Sequence, residues 1–201
     1  MNVQRFSPSA DEAASLFLTT QPDSLAVIAW PWSVFCGRNC PPERVNWQYC
    51  AEHDIPVIYT AVEGASYYYR TGDALYVALV TAERVTQRQW LDAVCNALLP
   101  VLPGLFVDDN DLRLGASRCG MASPELQRPD GAWLNVMEIL LHSDLDEARR
   151  ALAFPAGVWD HKPVSVLEDW IHPLDRELGA DVASVVTQAV IAAAKELMTD
   201  G

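Results

Sequence analysis

The chain has 201 residues, with 14 Lys+Arg against 27 Asp+Glu, a formal net charge of −13 and a sequence pI near 4.5. Half of the residues are hydrophobic and 20% are charged, enough for a packed core in a single domain without disulfides or metal. A field this acidic repels phosphate backbones and anionic lipid, which excludes nucleic acid and membrane surfaces as expected partners.

The opening MNVQRFSPSADEAASLF has no basic start followed by an apolar run, so no signal peptide is expected. Ser9 is placed to cap a helix over residues 11–18, with acidic residues in its first turn as the macrodipole favours. Residues 25–30 (LAVIAW) form a short apolar run between the turn-like 21–24 and Pro31, the pattern of a buried strand. A second strand is expected over residues 33–36, ended by Gly37, and Pro41-Pro42-Glu43 predicts a helix running to about His53. Residues 56–59, 67–70 and 75–80 then read as three strands, separated by Glu63-Gly64 and Thr71-Gly72-Asp73.

Thr86 caps a predicted helix over 87–99, closed by Pro100 and Pro103. Strands are expected over 112–114 and 132–141, with 124–131 as a loop between them, and a helix over 144–152. A Pro- and Trp-containing loop over 153–163, a short helix at 165–172 and a long amphipathic helix over 180–198 complete the chain. Strands grouped centrally, with helices toward the ends, predict an α+β fold: a mostly antiparallel sheet with helices packed on it. A single domain over 1–201 accounts for the whole chain, with 180–201 as a small helical extension. The longest apolar stretches, such as 74–82, fall short of the ~20 residues of a membrane helix, so a cytoplasmic protein is expected. The five cysteines, odd in number and lying in core-like segments, read as reduced thiols.

Five segments, taken in order, resemble the biotin/lipoate ligase superfamily, most closely its lipoate–protein ligase A branch. They are WPWSVFCGRN at 30–39, ERVNWQYCAEHDIPV at 43–57, DLRLGASRCGMAS at 111–123, ILLHSDLDEARRAL at 139–152 and KPVSVL at 162–167. The resemblance runs over about 10–178 and rests on order and spacing, each motif being weak alone. It implies the family's catalytic-domain fold and a cleft formed by Glu63, Gly64, Ser66, Tyr67, Tyr69, Arg70, Gly72, Ser117, Arg118 and Gly120. Such ligases join lipoate to a carrier lysine through an acyl-adenylate. A glycine-rich loop with paired arginines lets backbone approach the phosphate, and a lysine stabilises the charge that develops.

Those chemical residues are replaced. Tyr59 and Thr60 stand at the arginine pair, and the loop reads Val62-Glu63-Gly64-Ala65-Ser66, with one glycine of three and an added carboxylate. Tyr69 and Arg70 replace a His-Asp pair, while Ser117 occupies the lysine register beside Arg118, Cys119 and Gly120. Glu63 beside a carboxylate and phosphates would repel both.

Arg118 could supply a charge only if a register slip or bulge turned it inward, since adjacent strand residues face opposite ways; otherwise it is a solvated charge. Cys119 matches the acyl-thioester route of relatives, but no histidine is placed in sequence to activate it, and packing is the favoured reading. Cys36, Cys40, Cys50 and His53 have a spacing that superficially suits zinc, yet they lack the tight knuckles of such sites, so no metal is expected. Tyr67 and Tyr69 should share one face and Tyr68 the other, narrowing the acyl pocket or packing across strands. The Trp159, His161, Trp170 and His172 aromatics read chiefly as core cover.

Three functional readings follow from the resemblance. The chain is a non-catalytic member that binds a protein or small ligand. Alternatively it is an enzyme with a rebuilt site using Arg70, Arg118 or Cys119, or one subunit of a heteromer whose partner supplies missing parts. Its partner would be a lipoyl carrier domain or a second ligase-like chain, and the acidic charge favours a basic partner. No cofactor is expected from the residues alone; ATP and lipoate would serve only if activity is retained.

Overall fold

The computed structural model describes residues 1–60, 62, 66–154 and 167–199, with the backbone alone at Asp11, Ala14, Phe17 and Leu18. Two apolar runs make the centre of the molecule. SLAVIA forms β2 (Ser24–Ala29), and ALYVALVT forms β6 (Ala74–Thr81), all eight residues of which are buried. They pair antiparallel, and β6 pairs on its other side with β11 (Trp133–Leu140). The sheet continues antiparallel through β9 (Ser117–Ala122), β8 (Asp111–Leu114) and β7 (Leu105–Asp108). On the far edge β1 (Asn2–Phe6) joins β2 in parallel, and the short β10 (Leu126–Gln127) pairs with β11. A second sheet is built from β3 (Ser33–Cys36), parallel to β4 (Val57–Tyr59) and antiparallel to β5 (Ser66–Tyr69).

Strand alternation splits the core in two. One cluster takes Ala26 and Ile28 of β2, Tyr76 and Val80 of β6 and Val136 of β11, and it packs against the small sheet. The other takes Leu25, Val77, Leu79, Met137 and Ile139, which lie beneath α3 (Gln87–Leu98) and α7 (Val182–Thr199). The architecture is α+β with a mostly antiparallel central sheet, as the residue pattern predicts.

Local chemistry sets the helix starts. Ser9 opens α1 (Ala10–Thr19), where Glu12 accepts from the Ser9 amide at 3.0 Å; Thr86 accepts from Gln89 N at 3.2 Å and Gln89 answers the Thr86 amide at 2.8 Å. Asp144 caps α4 (Leu145–Ala151) by accepting from Glu147 N at 3.0 Å.

The continuous helix expected over 41–53 is broken. A 3₁₀ turn at Pro42–Arg44 precedes α2 (Trp47–Glu52), because Val45 is extended in a bridge to Leu152 and Asn46 caps the helix anew. Four strands, β1, β7, β9 and β10, fall outside the sequence-based strand assignments. Their sequences (NVQRF, LFVD, SRCGMA and LQ) are short, polar or glycine-containing, and they are held as strands by their neighbours. The short helices α5 (Leu167–Trp170) and α6 (Asp175–Leu178) precede α7. The helical stretch Asp175–Thr199 is long and apolar enough, by length and composition, to cross a membrane, which the sequence reading did not expect. In this fold its stripe Val182, Val186, Val190, Ala193 and Ala194 is buried in the cluster that contains α3.

Candidate functional site

Glu138 lies near the middle of β11, directly across from Tyr76 of β6 and Met121 of β9. Alternation turns it toward the small sheet, where it is 5% exposed among aromatic side chains. Burying a carboxyl here requires partners. Tyr76 donates its hydroxyl to Glu138 Oε2 at 3.1 Å, and the Tyr69 and Tyr76 hydroxyls lie 3.1 Å apart. The Tyr67 hydroxyl reaches Ser143 Oγ at 2.9 Å, and the Tyr67 and Tyr69 ring centroids are 5.0 Å apart. Burial pushes the Glu138 carboxyl above its ordinary value, against the Arg118 charge and the tyrosine hydrogen bonds, which favour the anion. Burial also raises Tyr67, Tyr69 and Tyr76, so the phenols stay neutral.

Arg118 reaches this face through a break in the β8–β9 ladder. Leu112 pairs with Gly120 but Arg113 pairs with Arg118, so one extra residue, Cys119, is accommodated on β9. The bulge is the device the sequence required for an inward Arg118. Its side chain is 12% exposed, not a solvated charge, and its Nη1 lies 3.4 Å from the sulfur of Met121, the cross-strand neighbour of Glu138. Burial works against the guanidinium charge, but Glu138 and then Asp111 more than offset it, so the group is held protonated.

Around Arg118 the charges are balanced. Asp111 lies 4.0 Å from Arg118 Nη1 and 2.9 Å from Arg113 Nη2, and Asp108 is 3.0 Å from Arg113 Nε. Trp170 of α5 lies under both guanidiniums, at 4.5 Å from Arg113 and 5.9 Å from Arg118. Gly120 permits the close crossing of strands: a Cβ there would lie 2.7 Å from the Glu138 carbonyl oxygen.

Of the residues expected to form the cleft, Tyr67, Tyr69 and Arg118 are brought together and Gly120 supports them. Arg70 turns away. It pairs with Asp144 and opens onto a surface cavity of about 560 Å³ lined also by Asp73, His142 and Asp175. Gly72 takes a φ of +83° in the turn before β6. Ser66 pairs with Cys36 inside the small sheet, and Ser117 Oγ donates to the Asp169 carbonyl at 2.6 Å. Glu63, Gly64, Trp159 and His161 lie outside the described residues.

Cys119 is buried in the opposite core cluster, its thiol donating to the Leu112 carbonyl at 3.2 Å and pushed up to about 12 by burial. That environment suppresses the thiolate. The Cys36 thiol, with Cys40, Tyr59 and Cys50 nearby, is likewise raised to about 12, first by burial. His53 is exposed and stacks on Tyr49 at 3.9 Å between centroids. Tyr68 faces away from its neighbours, accepting from Trp32 Nε1 at 3.0 Å. Trp170 covers the core as expected, and His172 lies 3.2 Å from Glu177.

Glu138, Tyr76, Asp111 and Arg113 escaped sequence reading as site residues. A lone Glu in WLNVMEIL, at the parity of buried Leu134 and Val136, was the available signal: a charge at a core position of a strand.

No family profile and no curated protein matches the sequence, so the comparison rests on three-dimensional structure. The chain superposes on the bipartite lipoate protein ligase of Thermoplasma acidophilum, described with its E2 lipoyl domain. The TM-score is 0.80 at 18% identity, over 98% of this chain and 83% of that one. It matches P. falciparum LipL1 in complex with lipoate at TM-score 0.71 and 12% identity, covering 98% of this chain and 62% of the other. A lipoate-protein ligase A bound with ATP matches at TM-score 0.57 and 20% identity, over 95% of each chain. Biotin protein ligase from Aquifex aeolicus has the same architecture. The chain therefore has the catalytic-domain fold shared by lipoate–protein ligases and biotin protein ligases.

Proposed function

We propose that this chain is a ligase-fold protein that has lost ATP-dependent lipoate ligation and works by binding a ligand or a protein. The observation that carries this reading is the Glu138–Arg118 arrangement. An acyl-adenylating cleft must hold a carboxylate and phosphates against cations. Here the inward Arg118 faces the charges of Glu138 and Asp111, and Arg113 is already paired with Asp111 and Asp108. Each carboxylate that answers these cations would also repel an anionic substrate, and in a water-poor cleft that repulsion is strong. Neighbouring structures bind lipoate or ATP; the charges around Arg118 and Arg113 do not fit an acyl-adenylate. The protein is taken to act in the cytoplasm.

Purified protein, incubated with ATP, lipoate or octanoate and a panel of lipoyl carrier domains, is expected to leave every carrier unmodified. Mass spectrometry showing an acylated carrier lysine would refute the reading.

A second reading is supported by the Thermoplasma neighbour, whose ligase is bipartite. In it, this chain is one subunit and a second, basic chain supplies the missing cations, consistent with a net charge of −13. Co-expression with the products of adjacent genes, followed by the same carrier assay, separates the two: modification only with a partner present favours the heteromer.

A further inference from the structure

The face of the large sheet opposite Glu138 and Arg118 is incompletely covered at its β1 edge. Register sets Arg5 of β1 beside Val27 of β2, and Ala29 of β2 beside Leu75 of β6, so all four side chains stand on the face that α7 covers. Over this corner α7 presents the short side chains of Ala183, Ser184 and Thr187, and the sheet beneath them is left open. The result is a cavity of about 330 Å³ that reaches the buried Val27 and Leu75. An unfilled space of this size against buried aliphatic side chains has the dimensions of a small-molecule site.

Charge decides what such a ligand carries. Among the described residues, Arg5 is the only charged side chain that lines the cavity, in a chain with 27 Asp+Glu against 14 Lys+Arg. Arg70, Arg84, Arg113 and Arg128 each face a carboxylate, whereas Arg5 has no ion pair or hydrogen bond among the described residues. An unanswered guanidinium beside an apolar hollow matches an anionic head on an apolar tail. The size of the head charge is limited by the whole molecule, whose net charge of −13 repels anions. One guanidinium answers a planar, singly charged carboxylate through two parallel hydrogen bonds. A phosphate monoester would bring further negative charge that no second cation on the wall answers. The hydroxyls of Ser184 and Thr187 are the additional donors available to a carboxylate.

We propose that the cavity between β1 and α7 binds an unbranched aliphatic carboxylate, its head on Arg5 and its tail over Val27 and Leu75. The proposal goes beyond the reading of the chain as a binding protein, because it uses the opposite face of the large sheet from the Arg118 cleft. It assigns no reaction to the cavity.

The test is calorimetric titration of the full chain with hexanoate, octanoate, 1-octanol and octyl phosphate. Octanoate is expected to bind about tenfold more tightly than octanol, the worth of a hydrogen bond to a charged group, and more tightly than octyl phosphate. Each methylene added between hexanoate and octanoate should tighten binding by up to about fourfold. Arg5→Gln should remove the preference for octanoate over octanol and leave octanol binding unchanged. Ala183→Leu, which fills the cavity without touching Arg5, should weaken both, with circular dichroism establishing that each variant is folded. Arg118→Ala should bind octanoate as the wild type does. Octanoate binding that survives Arg5→Gln but is lost on Arg118→Ala would put the acid in the cleft and overturn the proposal. Equal binding of octanol and octanoate overturns it too. So does the absence of octanoate binding, and a dimer in light scattering would then point to a second copy of the chain over this corner. None of these results touches the ligation reading, which fails only if a carrier becomes acylated.

Discussion

Glu138 concentrates the physical tension in the molecule, a carboxyl placed where a strand pointing at aromatic side chains would ordinarily carry an aliphatic residue. Its folded value is raised by burial above that of an exposed carboxyl. The folded state therefore holds the proton more tightly than the unfolded chain. The associated stability is fully present below the ordinary carboxyl range and declines as pH rises through the raised value. Glu138→Gln should remove that decline: thermal melts from pH 4 to pH 8 should show a flatter profile for the variant and a higher melting temperature at pH 8. A variant whose loss of stability with rising pH equals that of the wild type would show that the carboxyl titrates as if exposed. Gly120 is a second point of strain control. A methyl group built there meets the Glu138 carbonyl at 2.7 Å, backbone against backbone, so neither side can yield cheaply. Gly120→Ala is expected to cost about 1–3 kcal/mol in denaturant unfolding, the range of overpacking.

At the scale of elements, the β8–β9 bulge determines what kind of site this can be. Were β9 regular through Cys119, with no bulge, Arg118 and Met121 would fall on opposite faces by simple alternation, and this face would lose its inward cation. The helix ends are more ordinary, and they were legible in sequence. Ser9 and Thr86 read as caps in the sequence, and the structure adds that Glu12 and Gln89 reciprocate them. Thr86→Ala should destabilise the protein by about 1 kcal/mol, a fall of roughly 2–4 °C in melting temperature. No change beyond half a degree would mean that packing of Trp90, Leu91 and Val94 alone positions α3. What sequence could not give was the bulge, because SRCGMA has no residue that demands one, and the break at Val45, which depends on a distant bridge to Leu152. The apolar strands β2, β3 and β6 were readable because burial on both faces writes itself as a continuous run. β1 and β7 were not, since a half-exposed edge leaves little hydrophobic pattern.

For the whole molecule, the large sheet divides two cores of different character. Under α3 and α7 the packing is mainly aliphatic around Trp90, while the face toward the small sheet holds the tyrosines, Trp30, Phe35 and the Glu138 carboxyl. The central pair β6 and β11 borders both cores, and its amides should be the last to exchange with solvent. Native-state hydrogen exchange is expected to find the strongest protection at residues 75–80 and 134–140 and weak protection in β1 and β7. The reverse order would place the stability of the fold in its edges. The family likeness could be read from the order of five weak motifs because order reflects topology, which survives when individual residues do not. The chemistry of the cleft could be read only in part. The resemblance implied that the paired arginines and the lysine are replaced, but it pointed to none of Glu138, Asp111 and Arg113, which converge only through strand pairing.

The claim that this cleft no longer activates an acid is tested most directly by pyrophosphate exchange into ATP, measured with lipoate or octanoate and no carrier present. Exchange indistinguishable from a protein-free control is the expected result. Acid-dependent exchange that disappears on Arg118→Ala would contradict the account, since it would show adenylation proceeding in the presence of the Glu138 carboxylate.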